Sequence, residues 1–328
     1  MSCSYRRKGA RAVIIIVLIF SLAIVLPASR IFTAHSPSVV SSKSDTSSPL
    51  HNSNYHSVPV SCPQHKTVVR TRFPDVLIIG VRKGGTRALI NFLSAHPKVL
   101  KAGAEAHFFD KEDNLRRGIN YYLSLLPPVP DGSILVEKTP AYFVTPTAPR
   151  TIHLFHPAVK LILIVRDPVD RIMSSYAQLH EKNTQMGKSY QDLPDVLYSA
   201  DGSVNLSNSM VQGSMYSKHL RNWLKVFPRE QIYIVDGDSF VKDPYSVLKG
   251  VETFLQLESF FTEDSFPYNE TKGFYCVKVD GEVECLGSGK GREHPKVQER
   301  VINDLREVFA PYNREFEKLT GQIFGWSS

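Results

Sequence analysis

Residues 80–89, GVRKGGTRAL, put three glycines, one threonine and three cations into a stretch that directly follows the apolar run Val76–Ile79. A glycine turn between a strand and a helix leaves unpaired N–H groups at the positive end of the helix, which is an anion site. Gly80, Gly84 and Gly85 allow close backbone approach, Lys83 and Arg87 add full charges, and Thr86 adds a hydroxyl. The order differs from the nucleotide loop G-x-x-x-x-G-K-[ST], because no lysine follows Gly85 and Lys83 comes first. Magnesium-dependent phosphoryl transfer is therefore disfavoured, and an anion other than a kinase's triphosphate is indicated.

Two further clusters carry chemistry. In LILIVRDPVDRIMSSY, residues 161–176, an apolar run ends at Arg166, and Asp167-Pro168 is a helix-start signal. Arg166 and Ser174, two turns into that helix, can converge on a second phosphate. In AEAHFFDK, Glu105 and His107 stand two apart, so in an extended segment they point the same way, with Asp110 close behind. A Glu–His pair suits proton abstraction. No further ligand pair with metal spacing accompanies it.

These clusters need a scaffold that brings them together. Strand-like runs occur at Val76–Ile79, Ile134–Val136, Leu161–Val165 and Ile232–Val235. Between and after them lie helical stripes: Leu89/Phe92/Leu93, Tyr216/Leu220/Trp223/Leu224/Phe227 and Val301/Leu305/Val308/Phe309. Alternating strands and helices predict an α/β domain with a central parallel sheet, which binds ligands at the carboxyl ends of its strands. The polar clusters fall there, including Glu137-Lys138-Thr139 after the second run.

Composition bounds the rest. The formal charge of +7 is concentrated at the N-terminus. Residues 1–30 hold five Lys/Arg and no acid, which leaves +2 for residues 31–328, so an anionic partner must meet a local patch and nucleic acid is disfavoured. Ala12–Leu26 is apolar sequence, free of charge and broken only by Ser21, after Arg6, Arg7, Lys8 and Arg11. It predicts a cytosolic tail over 1–11 and a signal-anchor over 12–29, with a cleaved signal peptide as the competing reading. Residues 30–72 are Ser-rich and poor in large apolar side chains, the composition of a disordered stem, and the domain is expected over 73–328. Cys276 and Cys285 flank Asp280-Gly281, which reads as a hairpin closed by a disulfide, whereas a zinc pair lacks a second Cys/His pair nearby. Asn205-Leu-Ser and Asn269-Glu-Thr are glycosylation sequons that fit an oxidising compartment. Cys3 and Cys62 have no assigned role.

The motif order IIGVRKGGTRAL, EAHFFD, VEKTPAYF, LILIVRDPVDRIMSSY, YIVDGD, TKGFYC and KGREHP, from about Phe73 to Trp326, resembles the heparan sulfate glucosamine 3-O-sulfotransferases. These are Golgi type II membrane proteins. The resemblance implies the donor 3′-phosphoadenosine 5′-phosphosulfate (PAPS), leaving as adenosine 3′,5′-bisphosphate, with no metal required. Lys83, Gly84, Gly85, Thr86 and Arg87 would hold its 5′-phosphosulfate, and Arg166 and Ser174 its 3′-phosphate. Lys290, Gly291 and Arg292 would close over the donor beside the disulfide hairpin. Glu105 would be the base for the glucosamine 3-hydroxyl, supported by His107 and Asp110, with Lys83 and Lys138 at the transferring group. Arg82, Lys138 and Gln178 would contact heparan sulfate, while Lys111, Arg116 and Arg117 read as a solvated face. Gly103 and Gly287 match the open-gate subgroup, whose products include the herpesvirus glycoprotein D receptor type. The competing functions are sulfation at another heparan sulfate position and non-catalytic heparan sulfate binding on the same fold.

Overall fold

The computed structural model describes residues 69–287 and 297–326. The anchor, residues 30–68 of the stem, Cys3, Cys62 and the Lys290–Arg292 loop lie outside the described residues. Among the described residues no helix is long and apolar enough to cross a membrane. Residues 69–72, assigned from sequence to the stem, are joined to the domain. Val69–Arg70 pair antiparallel with Val129–Pro130, and Arg72 donates to the Ser133 carbonyl at 2.8 Å.

Five parallel strands form the central sheet: β1 (Val76–Gly80), β2 (Val99–Lys101), β3 (Ile134–Lys138), β4 (Lys160–Val165) and β5 (Ile232–Asp236), in the order β2-β3-β1-β4-β5. Four of them are the runs expected from sequence. The edge strand β2 has only three residues, too few for an alternating or continuous apolar pattern to show.

Alternation along each strand divides the core. Leu77, Ile79, Leu135, Leu161, Leu163 and Ile234 face one side, where they meet α3 (Tyr216–Leu224) and the second half of α5 (Glu299–Thr320). Val76, Ile78, Val136, Ile162, Ile164 and Val235 face the other and meet α1 (Thr86–Leu93) and α4 (Pro244–Leu255). Burial on both faces explains why the strands read as continuous apolar runs. Trp223, at the centre of the α3 stripe, is fully buried and donates its indole N–H to the Phe143 carbonyl at 3.0 Å. A third cluster joins α2 (Pro168–Gln185) to the first half of α5 through Val169, Ile172, Met173, Val301, Leu305 and Phe309.

Since β1 lies between β3 and β4 and all five strands run the same way, five loops emerge along one edge of the sheet. Adjacent parallel strands are about 4.8 Å apart, so the ends of β3 and β4, one strand apart on either side of β1, lie roughly 10 Å from each other. The loops interlock through glycine. A Cβ on Gly237, just after β5, would meet the Val165 carbonyl oxygen at 2.5 Å and that of Gly84 at 2.7 Å. Gly237→Ala is therefore expected to cost about 1–3 kcal/mol through overpacking against backbone, lowering Tm by several degrees. Gly103→Ala, where the added methyl meets nothing within 4 Å, should leave thermal unfolding nearly unchanged.

Candidate active site

The loop after β1 continues the sheet before it turns. The Val81 N–H donates to the Ile164 carbonyl of β4 at 2.7 Å, and the Gly84 N–H returns to the Val81 carbonyl at 3.0 Å. A Cβ on Gly84 would lie 2.6 Å from the Ile164 oxygen, so the backbone here can pack this closely only as glycine. Gly85 has φ 109° and stands at the N-cap of α1 with no side-chain acceptor. The first-turn N–H groups of α1 are thus left to a ligand or solvent rather than to a capping side chain. Thr86 is buried at this turn, Lys83 is half-buried with φ 74°, and Arg82 and Arg87 are exposed.

The loop after β4 begins α2 as its sequence predicts. Asp167 caps the helix, accepting from the N–H groups of Val169 and Asp170. Arg166 is held between two carboxylates, Asp238 at 3.2 Å and Asp170 at 3.1 Å. Asp170, Ser174 and Gln178 are spaced at i, i+4 and i+8, which puts them in one row along α2 with Arg166 over its first turn. Behind the row, Arg171 is buried, and its partners are all neutral: Ser214 Oγ at 2.6 Å, Ser175 Oγ at 3.4 Å and the Met210 carbonyl. Tyr216 in α3 donates its hydroxyl proton to the Arg166 carbonyl at 2.9 Å.

The third cluster closes around Glu105, in the loop after β2. Lys138 at the end of β3 pairs with Glu105 Oε1, and His107 Nε2 lies 3.3 Å from Oε2. The other ring nitrogen, His107 Nδ1, is 2.7 Å from Asp110 Oδ2. The ring is thereby held between two carboxylates, with the closer contact to Asp110. Lys138 is only 11% exposed, whereas Glu105 keeps 32% of its side-chain surface. His107 keeps 31% and Asp110 only 8%, so Glu105 is the carboxylate of this group that a ligand can reach. The segment is not extended as the spacing suggested, because His107 adopts φ 47°, although the Glu–His pairing is made. Phe108 and Phe109, both buried, turn the chain into the aromatic core against Tyr122 and Tyr142.

Beneath this group lies a second carboxyl. Glu137 is fully buried on the face of β3 opposite to Lys138 and accepts from the Thr139 hydroxyl. Burial raises its pKa to about 7, against the opposing effects of the Thr139 hydroxyl, the Ala106 N–H and the Lys138 charge.

Val277–Val279 and Glu282–Glu284 form a hairpin through Asp280 and Gly281, both at positive φ, and Cys276 and Cys285 are disulfide-bonded across it. The expected donor-closing residues Lys290, Gly291 and Arg292 directly follow this hairpin but lie outside the described residues. Asn205 and Asn269 are partly exposed. Arg116 pairs with Glu112, and the Arg117 guanidinium stacks over the Tyr121 ring at 3.4 Å, so both serve a local surface. Sequence reasoning did not single out Arg171, Asp238, Gly237 or Glu137. Arg171 could have been found from its i, i+4 spacing to Ser175 on an otherwise apolar face, and Asp238 from its place at a strand end.

Residues 73–321 match the family model described as "Sulfotransferase domain". The structure superimposes on the sulfotransferase of Alicyclobacillus acidocaldarius with a TM-score of 0.60 at 21% identity, covering 78% of this chain and all of that one, a likeness of fold. Heparan sulfate glucosamine 3-O-sulfotransferase 6 of Mus musculus is 45% identical over 260 residues, covering 78% of this chain and 75% of its own length. Its Homo sapiens counterpart is 41% identical over 296 residues, 89% of this chain and 84% of the relative. Heparan sulfate glucosamine 3-O-sulfotransferase 5 of Mus musculus is 40% identical over 257 residues, with 78% and 74% covered. The fold and the phosphate-type loop thus define a sulfotransferase domain. Within that class, the chain belongs to the heparan sulfate glucosamine 3-O-sulfotransferase family.

The buried carboxyl has a consequence for stability. Its folded pKa of about 7 exceeds the ordinary value of 4.5, so between these pH values the folded chain holds a proton that the unfolded chain has lost. The contribution of this group is fully present below pH 4.5 and declines as pH rises through 7. Thermal unfolding of the wild type and of Glu137→Gln, which cannot ionise, should therefore shift in favour of the glutamine variant from pH 5 to pH 8. A Tm difference that stays constant over this range would contradict the raised pKa.

Proposed function

We propose that this chain transfers a sulfuryl group from PAPS to the 3-hydroxyl of glucosamine residues in heparan sulfate, with Glu105 as general base. The observation that carries the reading is the Glu105 carboxylate, reachable from solvent and clamped by Lys138 and His107, one strand away from a glycine loop suited to phosphate. The names of the 40–45% identical relatives supply the substrate class.

The residues fit the donor. The uncapped first turn of α1, the hydroxyl of Thr86 and the charges of Lys83 and Arg87 suit a phosphosulfate, and the Arg166–Ser174 row suits a second, separated phosphate. PAPS supplies the activated sulfuryl group, and its leaving phosphate gains negative charge as transfer proceeds. Lys83 holds that charge from the loop, while Lys138 faces the acceptor side. Glu105 accepts the hydroxyl proton as the oxygen attacks. His107, backed by Asp110, keeps the carboxylate oriented, and Lys138 supplies the positive charge that stabilises it before the proton arrives. Arg82 and Gln178 would extend the acceptor cleft. Gly103 and Gly287, both exposed, stand where the open-gate subgroup has small residues, and the reading extends to products of the glycoprotein D receptor type.

The N-terminal apolar run, the disulfide and the two sequons support a Golgi single-pass type II protein with the domain in the lumen. On this reading the full chain stays with membranes after alkaline carbonate extraction. Release into the supernatant would remove the anchor.

Full-length enzyme incubated with sulfate-labelled PAPS and heparan sulfate should yield disaccharides labelled at the glucosamine 3-position. Label confined to the nitrogen or the 6-position would overturn the assignment. Glu105→Gln should lower kcat by about 10²–10⁴-fold while binding of adenosine 3′,5′-bisphosphate is retained. Unchanged turnover would remove Glu105 as the base.

A further inference from the structure

We propose that Glu137 is a positioning residue that holds the backbone of the His107–Phe108 segment, and through it the Glu105–His107 pair. This rests on the function assigned to Glu105 above. Two successive backbone N–H groups, those of His107 and Phe108, end on hydroxyls beside the one buried carboxyl. The His107 N–H points to the Thr139 hydroxyl oxygen at 3.5 Å, and that hydroxyl donates to Glu137 Oε1. The Phe108 N–H donates to the Tyr142 hydroxyl at 3.3 Å, and the pKa of that hydroxyl is raised by burial and by the neighbouring Glu137. Glu137 and Thr139 are both fully buried.

The clamp has something to hold. His107 sits at φ 47°, a left-handed conformation costly for a residue with a Cβ, and it persists only where its surroundings over-determine it. Asn114 adds one more restraint, donating to the His107 carbonyl at 2.9 Å. The strand alternation that turns Lys138 up towards Glu105 turns Glu137 down beneath the same segment. Base and counter-ion are thereby fixed from above, and the backbone that carries the base is fixed from below. Two buried oxygens here, Glu137 Oε2 and the Tyr122 hydroxyl, lack a well-formed hydrogen bond. A carboxyl that served packing alone would carry this cost without return, since an apolar side chain of equal volume would remove it.

The test compares substitutions that keep or remove the acceptor oxygen. Glu137→Gln retains it at nearly the same volume, whereas Glu137→Met removes it. The methionine variant should lose about 100-fold in kcat, the scale of a small misplacement of the base, with KM for heparan sulfate and affinity for adenosine 3′,5′-bisphosphate close to wild type. Hydrogen–deuterium exchange over residues 105–108 should quicken in the same variant. Glu137→Gln should restore both the turnover and the protection. A methionine variant with wild-type kcat and exchange, or a glutamine variant as impaired as the methionine one, would overturn the proposal. Should Glu137→Met fail to fold, Thr139→Val against Thr139→Ser decides, because only the valine variant breaks the link to His107. Equal exchange in those two would equally overturn it. The exchange measurement needs no turnover, so a wild type that makes no 3-O-sulfated product would refute the assigned function and leave the clamp to be judged separately.

Discussion

Everything at the site depends on the parallel hydrogen bonding of β1 between β3 and β4. Parallel pairing forces each connection to cross over the sheet, so successive loops that start the next element all leave from one edge. The Val76–Lys160 and Val76–Val136 registers fix how far each strand extends beyond its neighbours. Lys138 and Arg166 therefore flank the glycine loop, although they are separated by a helix and a long connection in sequence. The glycines add a second constraint at the same edge. Gly84 and Gly237 allow three backbones to approach where any side chain would hold them apart, which draws the loop after β1 down onto the ends of β4 and β5.

Charge at this edge is arranged in two ways. On the acceptor side the groups are mutually neutralising: Lys138 with Glu105, and His107 between Glu105 and Asp110. On the donor side, Arg166 is shared by Asp170 and Asp238, while Arg171 is buried and, among the described residues, bonds only to neutral partners. A buried, uncompensated guanidinium raises the potential along the whole first turn of α2. An anion arriving near Arg166 therefore meets a field that the two surface carboxylates only partly cancel. This division matches the two substrates proposed: a dianionic nucleotide end that must be attracted, and a neutral hydroxyl that must be deprotonated.

The sequence made the strand ends legible because chemistry-bearing residues directly follow continuous apolar runs, and burial on both faces makes such runs distinctive. The Asp167-Pro168 helix start and the Asp280-Gly281 hairpin followed from local backbone rules and needed no tertiary information. What was not legible depends on contacts far apart in the chain. The three residues of β2 form a strand only because β3 offers an edge. His107 turns left-handed only because Thr139, Asn114 and a cluster of buried aromatic rings surround its segment. Glu137 read as one more polar residue in a strand-end cluster, since nothing local signals that its side chain points into the core.

That orientation is also the least expected feature in energetic terms. A carboxyl in an apolar interior opposes folding whenever it is ionised, and burial answers by raising its pKa towards neutrality. Below its pKa of about 7 such a group is largely protonated, so the electrostatic penalty is small in mildly acidic solution. The hydrogen bond from the Thr139 hydroxyl persists in either state because it uses the carboxyl as an acceptor. The core can therefore hold an unusual backbone conformation at low cost through one strand residue. The neighbouring residue on the same strand, facing the other way, supplies the counter-charge for the base.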